Sequence, residues 1–272
     1  MKRRLQVSAA CYSSVGLVRD ENEDNFYFHG LTGPTHDDFF ADCTTSAPIS
    51  FAIFDGMGGE SNGKQASKLS AYLFAQWINR LKKNPGEVRE YIDAANKLIC
   101  AEIKHNSRRM GSTAAIVSIS KRHIHACNLG DSRVYLFRGG ELRQLSQDHT
   151  EVQIMLRMNL VSPEEALTHP ARNRLTQHLG VFESELAVEP YCTEVAWENG
   201  DKILVCSDGL TDMVSDEEII RFFTESFDIS DAVQKMGSEA LKAGGTDNVT
   251  LIALELRRNR HLFWGRKVPD EN

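Results

Sequence analysis

The segment "FAIFDGMGGESNG" (residues 51–63) passes from a run of apolar residues into an aspartate and a group of glycines. The run "FAIF" has the apolar and aromatic character of a strand buried in a protein interior. Asp55 and Gly56 follow it directly. Because glycine has no side chain, the backbone at Gly56 can approach other groups closely, and its carbonyl can serve as a ligand. The segment therefore predicts a carboxylate delivered from a buried strand into a loop at the rim of a sheet.

Carboxylates also stand at the ends of other apolar runs. They are Glu23, Asp24, Asp131, Asp208 and Asp247. Anions that converge in a partly dry cleft repel one another strongly unless a cation joins them. The donors are hard oxygens without cysteine or histidine at zinc-like spacing, which favours Mg²⁺ or Mn²⁺ over zinc. An Asp-Gly pair is also a common turn, so only the repetition of the pattern indicates a metal site.

Apolar runs and helical periodicity predict a mixed chain with two helix pairs between groups of strands. The strands are expected at residues 49–55, 112–120, 123–131, 133–139, 202–208 and 248–256. The helices are expected at residues 63–83, 86–107, 215–223 and 229–244. The glycine pair in "RGGE" (138–141) predicts a tight hairpin and antiparallel neighbours. Ser215 and Glu218 form a capping-box pattern at the start of the third helix.

An apolar stripe on the first helix is expected to face the core. Its members are Leu69, Leu73, Trp77 and Leu81. The acidic run "THDDFFAD" (35–42) predicts a solvated loop. No internal repeat or Gly/Ser linker interrupts the 272 residues, so we expect one domain over residues 1–256 and a polar tail at 257–272. Residues 148–181, which contain Pro163 and Pro170, are expected to form short helices in a surface lobe, the flap.

Composition limits the classes of function. Apolar residues make up 41% and charged residues 25% of the chain, which is ordinary for a soluble globular protein. The formal net charge of −7 argues against a nucleic-acid binder, and no segment is apolar enough for a membrane anchor or a signal-peptide core. The cysteines lack a C-x-x-C pair, and Cys127 and Cys206 are expected to act as small apolar residues. We therefore expect a cytoplasmic protein. We interpret the basic tail, which carries Phe263 and Trp264, as a frayed terminus.

Several motifs taken in order resemble the metal-dependent serine/threonine protein phosphatases of the protein phosphatase 2C type. They are "GLVRDENEDN" (16–25), "FDGMGGESNG" (54–63), "GSTAAIVSI" (111–119), "NLGDSRVYLFRGGEL" (128–142), "QDHT" (147–150), "SDGLTDMVSDEEI" (207–219) and "GGTDNVTLI" (244–252). The resemblance spans residues 7–256, and "HPARNRLTQHLG" (169–180) is similar to the segment after the flap in compact single-domain bacterial members. It implies an α+β fold, a four-layer α-β-β-α sandwich with two antiparallel sheets face to face and helix pairs outside.

The resemblance assigns metal ligands position by position. It makes Asp55 the carboxylate that bridges two Mn²⁺ or Mg²⁺ ions, with the carbonyl of Gly56 on one of them. Asp208 and Asp247 would bind the other ion.

It also implies supporting and weaker sites. Glu23 and Asp24 would hold a metal directly or through water. Asp131, with Asp208 and Asp212, matches a third and weaker metal position.

The remaining roles concern the substrate and the leaving group. Arg19 matches the arginine that binds the substrate phosphate, because its planar fork fits phosphate oxygens. Asn248 is expected to hold the metal ligands in place without binding a metal ion itself. Met57 stands where many eukaryotic relatives have a histidine proposed as general acid, so metal-bound water or another side chain must protonate the leaving oxygen. The candidates are His149, His169 and His178.

The implied activity is hydrolysis of phosphoserine and phosphothreonine on proteins by a hydroxide that two metal ions activate. The implied partners are phosphorylated proteins and an opposing serine/threonine kinase, and the chain is expected to be monomeric. One alternative is a catalytically inactive regulator that binds phosphopeptides with the same fold. Such proteins usually lose metal carboxylates, whereas Asp55, Asp208 and Asp247 are all present. A second alternative is a metal hydrolase that acts on small phosphoesters.

Overall fold

The computed structural model of the chain describes residues 5–33, 38–58 and 62–258, and its strands form two large sheets. The strands of the first sheet lie in the order β11 (Glu141–Gln144), β10 (Arg133–Arg138), β13 (Lys202–Cys206), β14 (Val249–Arg258), β1 (Leu5–Ser14) and β4 (Phe39–Ser46). Those of the second lie in the order β12 (Tyr191–Ala196), β9 (His123–Leu129), β8 (Ala114–Ile119), β5 (Ile49–Phe54), β2 (Asn25–Phe28) and β3 (Leu31–Thr32). A short ladder joins β6 (Gly56–Met57) to β7 (Gly111–Ser112). The pairings are antiparallel.

Five of the described helices cover the outer faces of the two sheets, and two lie in the flap. The helices are α1 (Asn62–Lys83), α2 (Val88–Asn106), α3 (Glu151–Arg157), α4 (Pro163–Thr168), α5 (Asp208–Thr211), α6 (Asp216–Glu225) and α7 (Ile229–Lys242), with a 3₁₀ turn at Pro85–Glu87 before α2. Helices α1 and α2 pack on the second sheet, and α5, α6 and α7 pack on the first, while α3 and α4 belong to the flap. The predicted four-layer α-β-β-α sandwich is therefore confirmed.

Strand β5 contains the run "FAIF" (51–54), and its packing explains why these four residues are apolar. Phe51 and Ile53 pack between the two sheets, whereas Ala52 and Phe54 pack against α1 and α2. All its residues are buried, because layers cover both faces of the strand. The two faces of β14 are likewise divided between the inter-sheet core and the layer of α6 and α7. The apolar run ends only where the chain leaves the sandwich, at Asp55.

The strands that were not expected from the sequence include β1, β4 and β12. Strand β1 pairs with β14 over its full length, although its serines and alanines conceal a strand pattern. Strand β12 pairs with β9. Strand β4 begins at Phe39, so the loop expected at residues 35–42 is wrong for residues 39–42. Residues 35–37 lie outside the described part of the chain. Because β4 is an edge strand with a solvent-facing side, it carries polar residues such as Asp42 that are typical of a loop.

The helices lie close to their expected bounds. The capping box of Ser215 and Glu218 is present at the start of α6. On α1 the fully buried side chains include Phe74 and Leu81, whereas Leu69, Leu73 and Trp77 pack only at the edge of the core. The difference arises because the sheet meets a face of α1 rotated from the leucine stripe.

Cys127 forms a disulfide with Cys192, so the expectation that it acts only as a small apolar residue is wrong. The two residues face each other across β9 and β12, which the sequence could not show because β12 was not anticipated. Cys206 is free and buried, as expected. Within the described residues, none of the helices has the length and apolar character needed to cross a bilayer. Phe263 and Trp264, in the basic tail, lie outside the described residues.

Candidate metal centre

The loops at one end of the sandwich bring together carboxylates from both sheets. Asp55 follows β5 and Asp24 precedes β2, both in the second sheet. Asp208 follows β13 and Asp247 stands just before β14, both in the first sheet. Asp131 lies in the connection from β9 to β10, which links the two sheets. Carboxylates that are far apart in sequence therefore face one another across the end of the two sheets.

Asp55 lies at the centre of this group. Its side chain shares a hydrogen bond with the carboxyl group of Asp208. Burial raises the pKa of Asp55 well above its usual range, and nearby negative charges raise it further. Those charges belong to Asp24, Asp208, Asp131 and Asp247. Without a cation, a proton is the simplest means by which Asp55 and Asp208 can remain so close.

Asp24 is the most buried member of the group, with 1% of its surface exposed. Burial raises its pKa to about 8, and the charges of Asp208 and Asp247 act in the same direction. The hydroxyl of Ser207 donates a hydrogen bond of 2.7 Å to the Asp24 carboxylate. Burial and the charge of Asp247 raise the pKa of Asp208 to about 6. Ser207 was missed in the sequence, although a serine that interrupts the apolar run just before Asp208 is a usable signal.

The backbone of Asp55 is held by a pair of hydroxyl groups. The amide of Asp55 donates a 3.0 Å hydrogen bond to Thr113 Oγ1, and this hydroxyl lies 2.7 Å from Ser132 Oγ. At Gly56 an added Cβ would overlap the carbonyl of Gly63 at the start of α1. Gly56 is therefore required for the close approach of the loop to the helix, in addition to any role of its carbonyl.

Asp131 and Asp212 mark the side of the centre that faces the flap. Burial, followed by the charges of Asp208 and Asp148, raises the pKa of Asp131 well above its usual range. Asp212 lies close enough for its charge to raise the pKa of Asp208. Its carboxylate, however, is bound by the guanidinium of Arg172 through two hydrogen bonds of 2.9 Å. The flap residue Arg172, which the sequence did not single out, is therefore the ion-pair partner of Asp212.

Arg19 and Glu23 lie at the entrance of the centre. Arg19 Nη2 is 2.7 Å from Asp247 Oδ2, and 52% of the arginine side chain is exposed. Burial raises the pKa of Glu23, while its amide donates a 2.8 Å hydrogen bond to Asn248 Oδ1. Arg19 can therefore offer its remaining N–H groups to an anion that arrives from solvent.

Asn248 connects the first loop to the last strand. Its side-chain amide donates hydrogen bonds of 2.9 and 3.0 Å to the carbonyls of Val15 and Glu21. At Gly16, which has a φ of +81°, a Cβ would overlap the carbonyl of Asp247. Together these contacts hold the loop that carries Arg19 and Glu23 against the loop that carries Asp247.

The candidate proton donors occupy different positions. His149 accepts a hydrogen bond of 3.1 Å from the amide of Gly130, and burial lowers its pKa. His169 Nδ1 accepts a 3.1 Å bond from the amide of Ala171 within the flap. His178 Nδ1 and Met57 Cε both border the position that a Cβ on Gly111 would occupy. Of the three histidines, His178 is the one that contacts the same glycine as Met57.

Comparisons with known proteins agree with this architecture. The family model for protein phosphatase 2C matches residues 28–243. The serine/threonine protein phosphatase PstP of Mycobacterium tuberculosis is 32% identical over 253 residues, which are 91% of this chain and 44% of that protein. This chain thus spans less than half of PstP. The protein phosphatase PhpP of Streptococcus pneumoniae is 34% identical over 210 residues, which are 75% of this chain and 84% of PhpP. A crystal structure of the PstP catalytic domain in complex with two manganese ions has a TM-score of 0.76 and 29% identity, and the match covers 93% of this chain and 99% of that one.

Proposed function

The chain belongs to the protein phosphatase 2C family, and on that premise we propose that it removes phosphate from phosphoserine and phosphothreonine residues of proteins with the aid of Mn²⁺ or Mg²⁺. The observation that carries the proposal is the convergence of carboxyl groups around Asp55. Their raised pKa values mark a site where negative charge lacks compensation in the metal-free chain. An inactive regulator would be expected to have lost some of these groups.

The donor set fits hard divalent cations. The converging groups are carboxylates, with the Gly56 carbonyl beside them, and Mg²⁺ and Mn²⁺ prefer such oxygen ligands. We propose that Asp55 and Gly56 contribute to one ion and that Asp208 and Asp247 join Asp55 at a second. When bound, two such ions lower the pKa of water and offset charge on the phosphoryl group.

Other groups would complete these sites. Glu23 and Asp24 would hold an ion directly or through water, and Asp131 would contribute with Asp208 and Asp212 to a third, weaker position. Arg172 already uses one lone pair on each Asp212 oxygen, so Asp212 would have to bind an ion there through the remaining lone pairs.

The side chains around the centre orient the substrate and its ligands. Arg19 would bind the phosphate of the substrate through its exposed N–H groups, because a guanidinium can donate two parallel hydrogen bonds to phosphate oxygens. Asn248 holds the Arg19 loop in place through its bonds to Val15 and Glu21. Ser207 orients the Asp24 carboxylate.

Hydrolysis of phosphothreonine and phosphoserine peptides tests the function directly. We expect phosphate release with Mn²⁺, loss of release with excess EDTA, and recovery when Mn²⁺ is restored. A nucleotide and a sugar phosphate, at the same concentration, should turn over more slowly than the peptides. Activity that survives chelation would refute the metal-dependent mechanism, and faster turnover of the small esters would assign a different substrate class.

Replacement of Arg19 by alanine is expected to lower kcat/KM for a phosphopeptide by about 10–100-fold, since charge-assisted hydrogen bonds contribute about 1.5–3 kcal/mol. Arg19→Lys should recover only part of this loss, because an ammonium group cannot form the bidentate contact. Steady-state kinetics of both variants with Mn²⁺ provide the measurement. Arg221→Ala, on the exposed side of α6, serves as the control. Equal kinetics for the Arg19 and Arg221 variants would exclude Arg19 from phosphate binding.

We also propose the setting in which the enzyme acts. Residues 1–256 would form the catalytic domain, with the flap at 148–181, and the chain would act as a cytoplasmic monomer that opposes a serine/threonine kinase. The substrate class supports the kinase, since a kinase must attach the phosphate that this chain removes. The Cys127–Cys192 disulfide offers a test of the cytoplasmic location, because the reducing conditions of the cytoplasm would keep these two cysteines as thiols. Sedimentation of the purified chain and alkylation of its thiols in freshly lysed cells test the monomer and the compartment.

A further inference from the structure

The outer edge of the second sheet carries two histidines and a glutamate on neighbouring strands. In the β9–β12 ladder His125 stands directly opposite Glu194, and His123 stands opposite Ala196. Because side chains alternate along a strand, His123 and His125 share one face of β9, and Glu194 lies on the same face of β12. Strand β12 is at the edge of the sheet, so this face is open to solvent on one side.

Both imidazoles converge on a single carboxylate. Nδ1 of His123 lies 3.1 Å from Oε1 of Glu194, and Nδ1 of His125 lies 3.0 Å from Oε2. The ring centroids are 6.0 Å apart with an interplanar angle of 78°, so the two rings do not stack. One possible ligand atom from each of the three residues lies within 4.8 Å of the other two.

We propose that His123, His125 and Glu194 bind a divalent transition-metal ion of the zinc class at this sheet edge. A tetrahedral ion with bonds of about 2.0–2.1 Å separates its ligand atoms by about 3.3 Å. Each Nδ1 is already within a few tenths of an ångström of that distance from one Glu194 oxygen. The two rings contact different oxygens, however, so a small rotation of the carboxylate would be needed for one oxygen to serve both. Two nitrogen donors and one carboxylate favour zinc over Mg²⁺, in contrast to the all-oxygen donors around Asp55.

A simple ion pair accounts less well for the cluster. One carboxylate balances only one imidazolium, whereas two imidazoles meet here. Burial lowers the pKa of His125, and the neighbouring His123 also acts in this direction, although Glu194 opposes it. Neutral imidazole is the form that binds a metal. An ion bound at Nδ1 requires the neutral tautomer with its N–H on Nε2, so the proton that each Nδ1 shares with Glu194 would move to Nε2 of the same ring by exchange with water.

The surroundings provide room and rigidity. Side-chain exposures of 22% for His125, 40% for His123 and 52% for Glu194 leave the ion accessible, so water can complete its coordination. A cavity of about 200 Å³ beside the cluster is lined in part by His125, Glu194 and both cysteines of the disulfide. The Cys127–Cys192 bond links the two strands at the next position on the same face. The antiparallel ladder of β9 and β12 keeps the ligands opposite each other before an ion arrives, and the disulfide reinforces this register.

Zinc titration tests the site. The full chain, freed of any polyhistidine tag and of metal, is titrated with Zn²⁺ by calorimetry in excess Mg²⁺, which occupies the carboxylate centre. We expect one tight equivalent in the wild type, with weakened binding for His123→Gln, His125→Gln and Glu194→Gln. Loss of an outer hydrogen-bond partner of a ligand already costs about 10–100-fold in metal affinity, so loss of a ligand should cost at least about tenfold. His105→Gln, an exposed histidine on α2, is the matched control.

Two further variants separate this site from its neighbours. Asp208→Asn should retain the tight equivalent, and so should the double variant Cys127→Ser, Cys192→Ser. Co²⁺ bound to the wild type should give the intense visible absorption of a low-coordinate ion, and this band should be absent in Glu194→Gln. The exposed His123 provides a readout even if replacement of His125 disturbs folding. Unchanged zinc affinity in the His123 and Glu194 variants, or its loss in Asp208→Asn, would overturn the proposal.

Discussion

Replacement of Asp208 by asparagine is expected to abolish nearly all phosphatase activity. Asp208 shares a hydrogen bond with Asp55 and lies close enough to Asp247 and Asp212 for their charges to raise its pKa, so its replacement removes a carboxylate from the proposed metal centre. Loss of one electrostatic stabiliser typically lowers kcat by about 10²–10³-fold, and a metal ligand should cost at least as much. The measurement is phosphopeptide turnover with saturating Mn²⁺.

The same variant should be more stable than the wild type when metal is absent. Asparagine has the size of aspartate and can still hydrogen-bond to Asp55, but it removes one negative charge from a group whose members raise one another's pKa. We expect its melting temperature in EDTA at pH 8 to exceed that of the wild type, and its stabilisation by Mn²⁺ to be smaller. Asp93→Asn, on the exposed side of α2, should change neither quantity. A variant that is inactive and also less stable in EDTA would indicate a structural role for Asp208 instead.

The metal-free chain is expected to lose stability as the pH rises from about 4 to about 8. Asp24 has a folded-state pKa raised to about 8 and Asp208 one raised to about 6, whereas unfolded aspartates titrate near 4. Between these values the folded chain holds more protons than the unfolded chain, so unfolding becomes more favourable with increasing pH. The stabilisation is complete below the unfolded pKa and is lost as the pH passes the folded pKa. A loss of a few kcal/mol corresponds to a fall of about 5–10 °C in Tm.

Mn²⁺ should reverse this trend, because metal ligands must be deprotonated and the metal therefore competes best at high pH. Thermal unfolding at pH 5, 6, 7 and 8, with EDTA and with Mn²⁺, provides the test. The interval from pH 7 to 8 is the most informative, since it contains the raised pKa of Asp24, about 8, and lies far above the pKa of an unfolded aspartate. Asp24→Asn, which can still accept the hydrogen bond from Ser207, should reduce the slope in that interval, because it removes one of the groups whose pKa burial raises. A Tm in EDTA that is constant or rises with pH would contradict the assigned pKa values.

Much of the fold could be predicted because the buried strands show their environment in their residues. Strand β5 is buried throughout and apolar except for Ser50, since both of its faces are covered, and its end at Asp55 was visible in the sequence. Strands β1 and β4 were missed for physical reasons. In β1, serines such as Ser13 lie buried and bond across the sheet, here to Thr250, and such pairing cannot be read from a single strand. In β4, one face is solvated, so its sequence is typical of a loop.

The candidate centre could be predicted in its members but not in its internal contacts. The pattern of carboxylates at strand ends identified Asp55, Asp208 and Asp247, and the structure brings their side chains together. Arg172 lies in the flap and Asp212 directly after α5, and no local sequence pattern predicts the ion pair between them. The convergence of His123 and His125 on Glu194 likewise depends on a strand, β12, that was not expected.

The amino-acid sequence by itself determined where the strands end, which carboxylates follow them and which family the chain resembles, because these features depend on residues adjacent in the chain. Only the tertiary structure decided which charges share a cleft, which of them are held by arginine and which cysteines and histidines meet across strands. Those relations arise from the register and packing of segments far apart in sequence, and the free energy that fixes them comes from the buried layers between the two sheets and their helices.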